Sequence, residues 1–122
     1  MLYEELTAKI LGACFEVSNE LGSGFLEAVY QNALAIVLRQ KGIGVKAQVP
    51  ISVTFRGEEI GSYYADLLVE DKIIVELKAV STLMPEHQAQ VINYLKATGF
   101  EVGLLVNFGR PKLEYKRLEK KI

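Results

Sequence analysis

The stretch from Tyr63 to Val80 constrains this chain more than any other. Two apolar, β-prone runs flank the polar triplet Glu70-Asp71-Lys72, a pattern that predicts an antiparallel hairpin. With the loop centred on Asp71, Leu67 falls opposite Val75, Asp66 opposite Glu76, and Tyr64 opposite Lys78. Side chains alternate along a strand, so Asp66, Glu76 and Lys78 emerge on one face. Directly opposed Cβ atoms lie roughly 5 Å apart, and like charges at such a pair are destabilising. The neighbours Ala65, Leu67, Leu68, Ile74, Val75 and Leu77 are apolar and screen little. Such carboxylates coexist when one is protonated or when a cation sits between them. A hard divalent ion with oxygen ligands suits the pair, with Lys78 as a fixed charge beside it. The competing interpretation is a solvated strand face carrying one cross-strand ion pair.

Around this hairpin the pattern predicts one α/β domain over residues 1–122, a length that fits a single core. Leu6, Ile10, Cys14 (or Ala13), Val17 and Leu21 recur at helical spacing from about Tyr3 to Leu21, and Gly22-Ser23-Gly24 breaks the helix. A second helix is expected from about Phe25 to Lys41, stopped by Gly42, so that the two form an αα-hairpin. Gly24, Glu27 and Tyr30 share one face of it. With Gly24 as N-cap, Glu27 occupies the third helical position of a capping box, and Tyr30 is a core-edge aromatic.

A β-rich middle follows. Val45–Val49, interrupted by Pro50, leads to the alternating Ile51, Val53 and Phe55. Arg56-Gly57-Glu58-Glu59 turns the chain, Ile60–Val69 returns, and Lys72–Val80 completes a three-stranded meander. Pro85 suits the first position of a helix ending at Thr98 before Gly99. Ala89, Val91, Ile92 and Leu95 make its apolar side; His87, Gln90 and Tyr94 line another, and the lone His87 receives no role. Val102–Phe108 is an apolar run suited to a strand covered on both faces, parallel to the previous one across a right-handed crossover. Leu113, Tyr115 and Leu118 suggest a short edge strand.

Composition narrows the function classes. Net charge is −1, so there is no bulk basic signal for nucleic acid. The run Lys112, Lys116, Arg117, Lys120 and Lys121 is diluted by Glu114 and Glu119 and reads as solvated. The single Cys14 sits on an apolar helical stripe as a core filler. No apolar run approaches the ~20 residues of a membrane span, and the first residues lack a basic signal-peptide start, so a cytoplasmic protein without a membrane partner is expected.

The αβββαβ order, with Asp66 on one strand and Glu76-Leu77-Lys78 on the next, resembles the PD-(D/E)XK nuclease superfamily. Gln90-x-x-x-Tyr94 looks like the QxxxY element of its exonuclease-like branch, and Gly24-Phe-Leu-Glu27-Ala-Val-Tyr30 resembles the signature of the small GxxExxY family, over about residues 4 to 118. Ala65 stands before Asp66 where the superfamily name has proline. The resemblance implies a restriction-endonuclease-like αβββαβ core, a mixed sheet flanked by helices and preceded by an αα-hairpin. It implies metal-dependent phosphodiester hydrolysis of nucleic acid, DNA before RNA. Asp66, Glu76 and the Leu77 carbonyl would hold Mg²⁺ or Mn²⁺, with Glu27 reaching a water or second ion and Lys78 orienting water or stabilising charge. Gln90 and Tyr94, with Tyr30 nearby, would hold Lys78 or a substrate phosphate. Two other classes are a catalytically silent module that binds nucleic acid or a protein, and a self-associating domain using apolar positions near Phe25, Phe100 and Phe108. Small size suggests a homodimer.

Overall fold

In the computed structural model, which describes residues 1–120, the elements are α1 (Glu4–Leu21), α2 (Glu27–Gln40), β1 (Val45–Phe55), β2 (Glu58–Val69), β3 (Ile73–Lys78), α3 (Pro85–Thr98), β4 (Val102–Asn107) and β5 (Glu114–Glu119). Lys121 of the basic run lies outside the described residues. One mixed five-stranded sheet has the order β1-β2-β3-β4-β5, parallel only between β3 and β4, as a restriction-endonuclease-like core requires. α3 is the crossover that such a parallel step needs. The expected edge strand is β5. Among the described residues, no helix is long and apolar enough to cross a membrane.

β3 and β4 are central because their apolar runs tolerate cover on both faces: all of β4, and all of β3 before Lys78, is buried. On one face Ile10, Cys14, Tyr30 and Leu34 of α1 and α2 pack against Val75, Leu77 and Leu104. On the other, Tyr94 and Leu95 of α3 meet Leu68 and Ile74. At Gly103 a Cβ would stand 2.6 Å from a Val91 methyl, so this glycine lets α3 approach β4.

Four local expectations change. α2 starts at Glu27 with Leu26 as its N-cap, so Glu27 is the first helical residue and closes no capping box. The reason is Tyr30: its hydroxyl donates to the Gly22 carbonyl (2.6 Å) and accepts from the Phe25 N–H (3.2 Å), tying the preceding chain into a turn. Its ring is fully buried and stacked on Phe108 at 4.7 Å, deeper than a core-edge position. Pro50 does not interrupt β1, because β1 is an edge strand whose outer N–H needs no partner. The β1–β2 turn is only Arg56-Gly57, both at positive φ (50° and 85°), a two-residue hairpin of the primed kind, so Glu58 and Glu59 belong to β2.

The β1–β2 pair also turns over. Val45, Leu67 and Val69 pack on the α1/α2 side, but Val49, Ile51 and Ala65 pack on the α3 side. The exchange falls between Ala47↔Leu67 and Val49↔Ala65, at Gln48 and Asp66. Gln48 adopts φ 52°, and its side-chain amide donates to Gln31 of α2 (2.8 Å). Beyond this point the two strands form an arm leaning on α3.

Candidate active site

β2 and β3 pair through Val69↔Ile73, Leu68↔Ile74 and Leu67↔Val75, the register expected from the polar triplet. At the next step the backbone ladder stops and side chains replace it. The Asp66 N–H donates to Glu76 Oε1 (2.9 Å), and the Leu77 N–H donates to Asp66 Oδ2 (2.8 Å). Each carboxylate thus clasps the backbone of the opposite strand. In a strand the N–H and C=O of one residue face the same neighbour, so the Leu77 carbonyl is turned to this gap too.

The clasp is electrostatically loaded. Glu76 is 4% exposed. Burial, then the adjacent Asp66 charge, pushes its carboxyl up to about 8, against the opposing pull of the Asp66 N–H bond and of Lys78. Tyr94 lies within the same field: burial, then Glu76 and Asp66, push its phenol up to about 12. Lys78 ends β3 on the Glu76 side of the sheet, partly buried, and its carbonyl accepts from the Phe108 N–H (2.8 Å).

Asp66, Glu76, Lys78 and Tyr94 therefore come together. Glu27 does not join them: it is exposed, and among the described residues no set of three His, Cys, Asp or Glu side chains is gathered for a metal. Its helix does start near the end of β3, since Tyr30 stacks on Phe108, the residue bonded to Lys78. Gln90 lines a groove of about 720 Å³ between α3 and the β1–β2 arm, which Tyr94 borders and the two carboxylates do not. His87 accepts the Met84 N–H at its Nδ1 (3.0 Å), capping α3. Burial pushes the Cys14 thiol up to about 12, as a core filler requires. Of the three phenylalanines suggested for self-association, Phe25 is exposed, Phe100 half-buried and Phe108 buried.

One supporting cluster escaped sequence reasoning. Asn107, fully buried at the end of β4, accepts from the Val80 N–H (3.0 Å) and Gly109 N–H (2.9 Å). It donates to the Val80 carbonyl (2.9 Å) and to Glu114 (3.0 Å). Glu114 also accepts from the Leu83 N–H (3.1 Å), and chiefly the Asn107 bond lowers its carboxyl. This network fixes the chain immediately after Lys78. Its only signal was an amide inside an apolar run.

The donor set of the clasp, two carboxylates and a carbonyl oxygen, fits a hard divalent cation. A buried carboxylate raised by a like charge is the electrostatic condition that such an ion relieves.

A family model described as the PD-(D/E)XK nuclease superfamily matches residues 4–118. No curated protein matches. The solved structure described as the crystal structure of SSO0001 is similar with a TM-score of 0.61 and 19% identity, over 98% of this chain. This chain spans 60% of that one, and at such identity the likeness concerns the fold alone. Nucleases of the matched superfamily usually use divalent metals. From α1 to β5 the matched span includes every element that builds the clasp, and the chain belongs to the PD-(D/E)XK nuclease superfamily.

Proposed function

We propose that this chain is a divalent-metal-dependent nuclease that hydrolyses phosphodiester bonds, DNA before RNA, and that it is a GxxExxY-type member of its superfamily. The observation that carries the proposal is the raised, buried carboxylate of Glu76 clasped to Asp66. Asp66, Glu76 and the Leu77 carbonyl would hold Mg²⁺ or Mn²⁺. When bound, the cation supplies Lewis acidity for the phosphodiester and its attacking water. Lys78 orients that water and offsets the charge that grows on the phosphoryl oxygens. Tyr94 holds Lys78 or a substrate phosphate by a hydrogen bond, Gln90 serves the substrate from the groove beside it, and Glu27 acts from the start of α2 on a water at the rim. Tyr30 positions Glu27 by seating α2 on Phe108. Gly24 at φ 114°, Glu27 and Tyr30 support the GxxExxY assignment by shaping one turn and helix start.

Thermal melts of wild type and Asp66→Asn, with Mn²⁺ and with chelator, test the site. An asparagine oxygen can still accept the Leu77 N–H while the like charge disappears. Asp66→Asn should therefore melt higher than wild type in chelator and lose a Mn²⁺-induced rise that wild type displays. Mn²⁺-dependent DNA cleavage should disappear with it. A wild type indifferent to Mn²⁺, together with a destabilised Asp66→Asn, would sink the proposal.

A second reading is a silent nuclease-fold module that binds nucleic acid or a protein, or self-associates. Two observations favour it: each carboxylate commits an oxygen to backbone, and Leu21, Phe25, Leu26 and Ile36 leave apolar surface exposed on the α1–α2 hairpin. That surface would also suit a homodimer. Sedimentation together with the cleavage assay separates these cases.

A further inference from the structure

The groove beside the clasp has walls of distinct chemistry. Val53, Ile60 and Tyr63 line the arm; Gln90, Asn93 and Tyr94 line α3. Tyr63 is 47% exposed, and its ring centre lies 5.7 Å from that of Tyr94 at a 45° tilt. Gly61 permits this placement, because a Cβ there would stand 3.2 Å from Tyr63 Cε2. The ring lies over the glycine and lines the groove, half-exposed. Tyr94 forms the inner end, where it feels the charges of Glu76 and Asp66. Tyr94 is thus the residue shared by the groove and the field of the carboxylates.

These walls suit a base better than a phosphate track. Binding through phosphates needs several lysines or arginines. Here the lining charges are Glu86 and Lys96, opposite in sign, and the whole chain carries −1. What the groove offers is an exposed π-face and two carboxamides that donate and accept. Aromatic stacking is the sequence-tolerant part of single-strand recognition. A paired base stacked within a duplex hides its faces and its pairing edge, so only an unpaired base can use this combination.

We infer that the groove receives an unpaired base of a DNA strand, stacked on Tyr63 with its polar edge on Gln90 and Asn93, while a neighbouring phosphate meets the cation that Asp66 and Glu76 would hold. The inference rests on the nuclease proposal for that phosphate alone. It makes the protein selective for single-stranded or frayed DNA.

Fluorescence anisotropy, run in EDTA and again with Ca²⁺ in place of Mn²⁺, tests it without reliance on cleavage, using a short fluorescein-labelled oligothymidylate and a blunt duplex of equal length. Wild type should bind the single strand at least about tenfold tighter than the duplex. Tyr63→Ala should weaken single-strand binding about tenfold or more, the scale of one lost stacked base. Tyr63→Phe, which keeps the ring, should bind like wild type, and circular dichroism should find both variants folded. Equal affinity for duplex and single strand, or a folded Tyr63→Ala that binds like wild type, overturns the inference. Cleavage with Mn²⁺ separates the two ideas. Cleavage without single-strand preference sinks the base groove and leaves the nuclease; Tyr63-dependent single-strand binding without cleavage does the reverse.

Discussion

Glu76 is nearly water-free and faces a second carboxylate, and its titration makes stability depend on pH when no cation is bound. Its folded value, about 8, lies above the ordinary 4.5. An unfolded chain releases this proton near 4.5, whereas the folded chain keeps it until about 8. Between those values the unfolded state binds fewer protons, so stability from this group is full at low pH and falls as pH rises through the window. In chelator, wild type should lose thermal midpoint across that range. Glu76→Gln, whose amide oxygen can still accept the Asp66 N–H, should run flat there and gain on the order of 1 kcal/mol or more at the upper end. A variant with the wild-type slope would show that another group carries it. Asn107 makes a second residue-scale case. Its replacement by alanine strands the Val80 and Gly109 N–H groups and should cost about 2–4 kcal/mol, read from the denaturant midpoint. Gly109→Ala should act in the same direction, since its Cβ would collide with the Val80 carbonyl oxygen.

At the scale of elements, the turnover of the β1–β2 pair aims the site. Had β2 stayed in plane, Ala65 would have continued the backbone ladder with Leu77; instead Asp66 turns its N–H to Glu76. Gln48, a non-glycine residue at φ 52°, stores strain at this crossing of roughly 1–2 kcal/mol. Relief of strain is offset by glycine's own entropy loss and by loss of the Gln31 bond, so Gln48→Gly should change stability by less than about 1 kcal/mol, with the Mn²⁺ response intact. Gln48→Val, β-branched and unsuited to positive φ, should destabilise and blunt that response. Equal effects of the two would mean that backbone conformation at Gln48 is irrelevant. The same crossing marks the limit of sequence legibility. Period-two alternation placed Asp66 opposite Glu76, and Pro85 with Gly99 bounded α3, because those signals are local. Nothing local announces that alternation changes face at Gln48, so the groove lined by Tyr63 stayed hidden. Nor could spacing locate the start of α2, which a long-range bond from Tyr30 to Gly22 decides.

Across the whole molecule, the clasp is where folding, protons and a cation would meet. The helices of one face seat α2 on Phe108, the Asn107 network holds the chain after Lys78, and the arm leans on α3. These supports keep two carboxylates together that would separate if free. A divalent ion that binds only the folded state stabilises it by mass action, about 2.7 kcal/mol at a hundredfold excess over Kd. Binding must displace the proton that Glu76 retains, so ion affinity is pH-linked. The Mn²⁺-induced rise in thermal midpoint should grow as pH approaches about 8 and then level off. In Glu76→Gln the residual rise should be small and independent of pH. Buffered melts at several pH values, each with and without Mn²⁺, check both slopes. A rise equally large at low pH would place the ion on groups that are already ionised there, away from Glu76, and the clasp would then be structural.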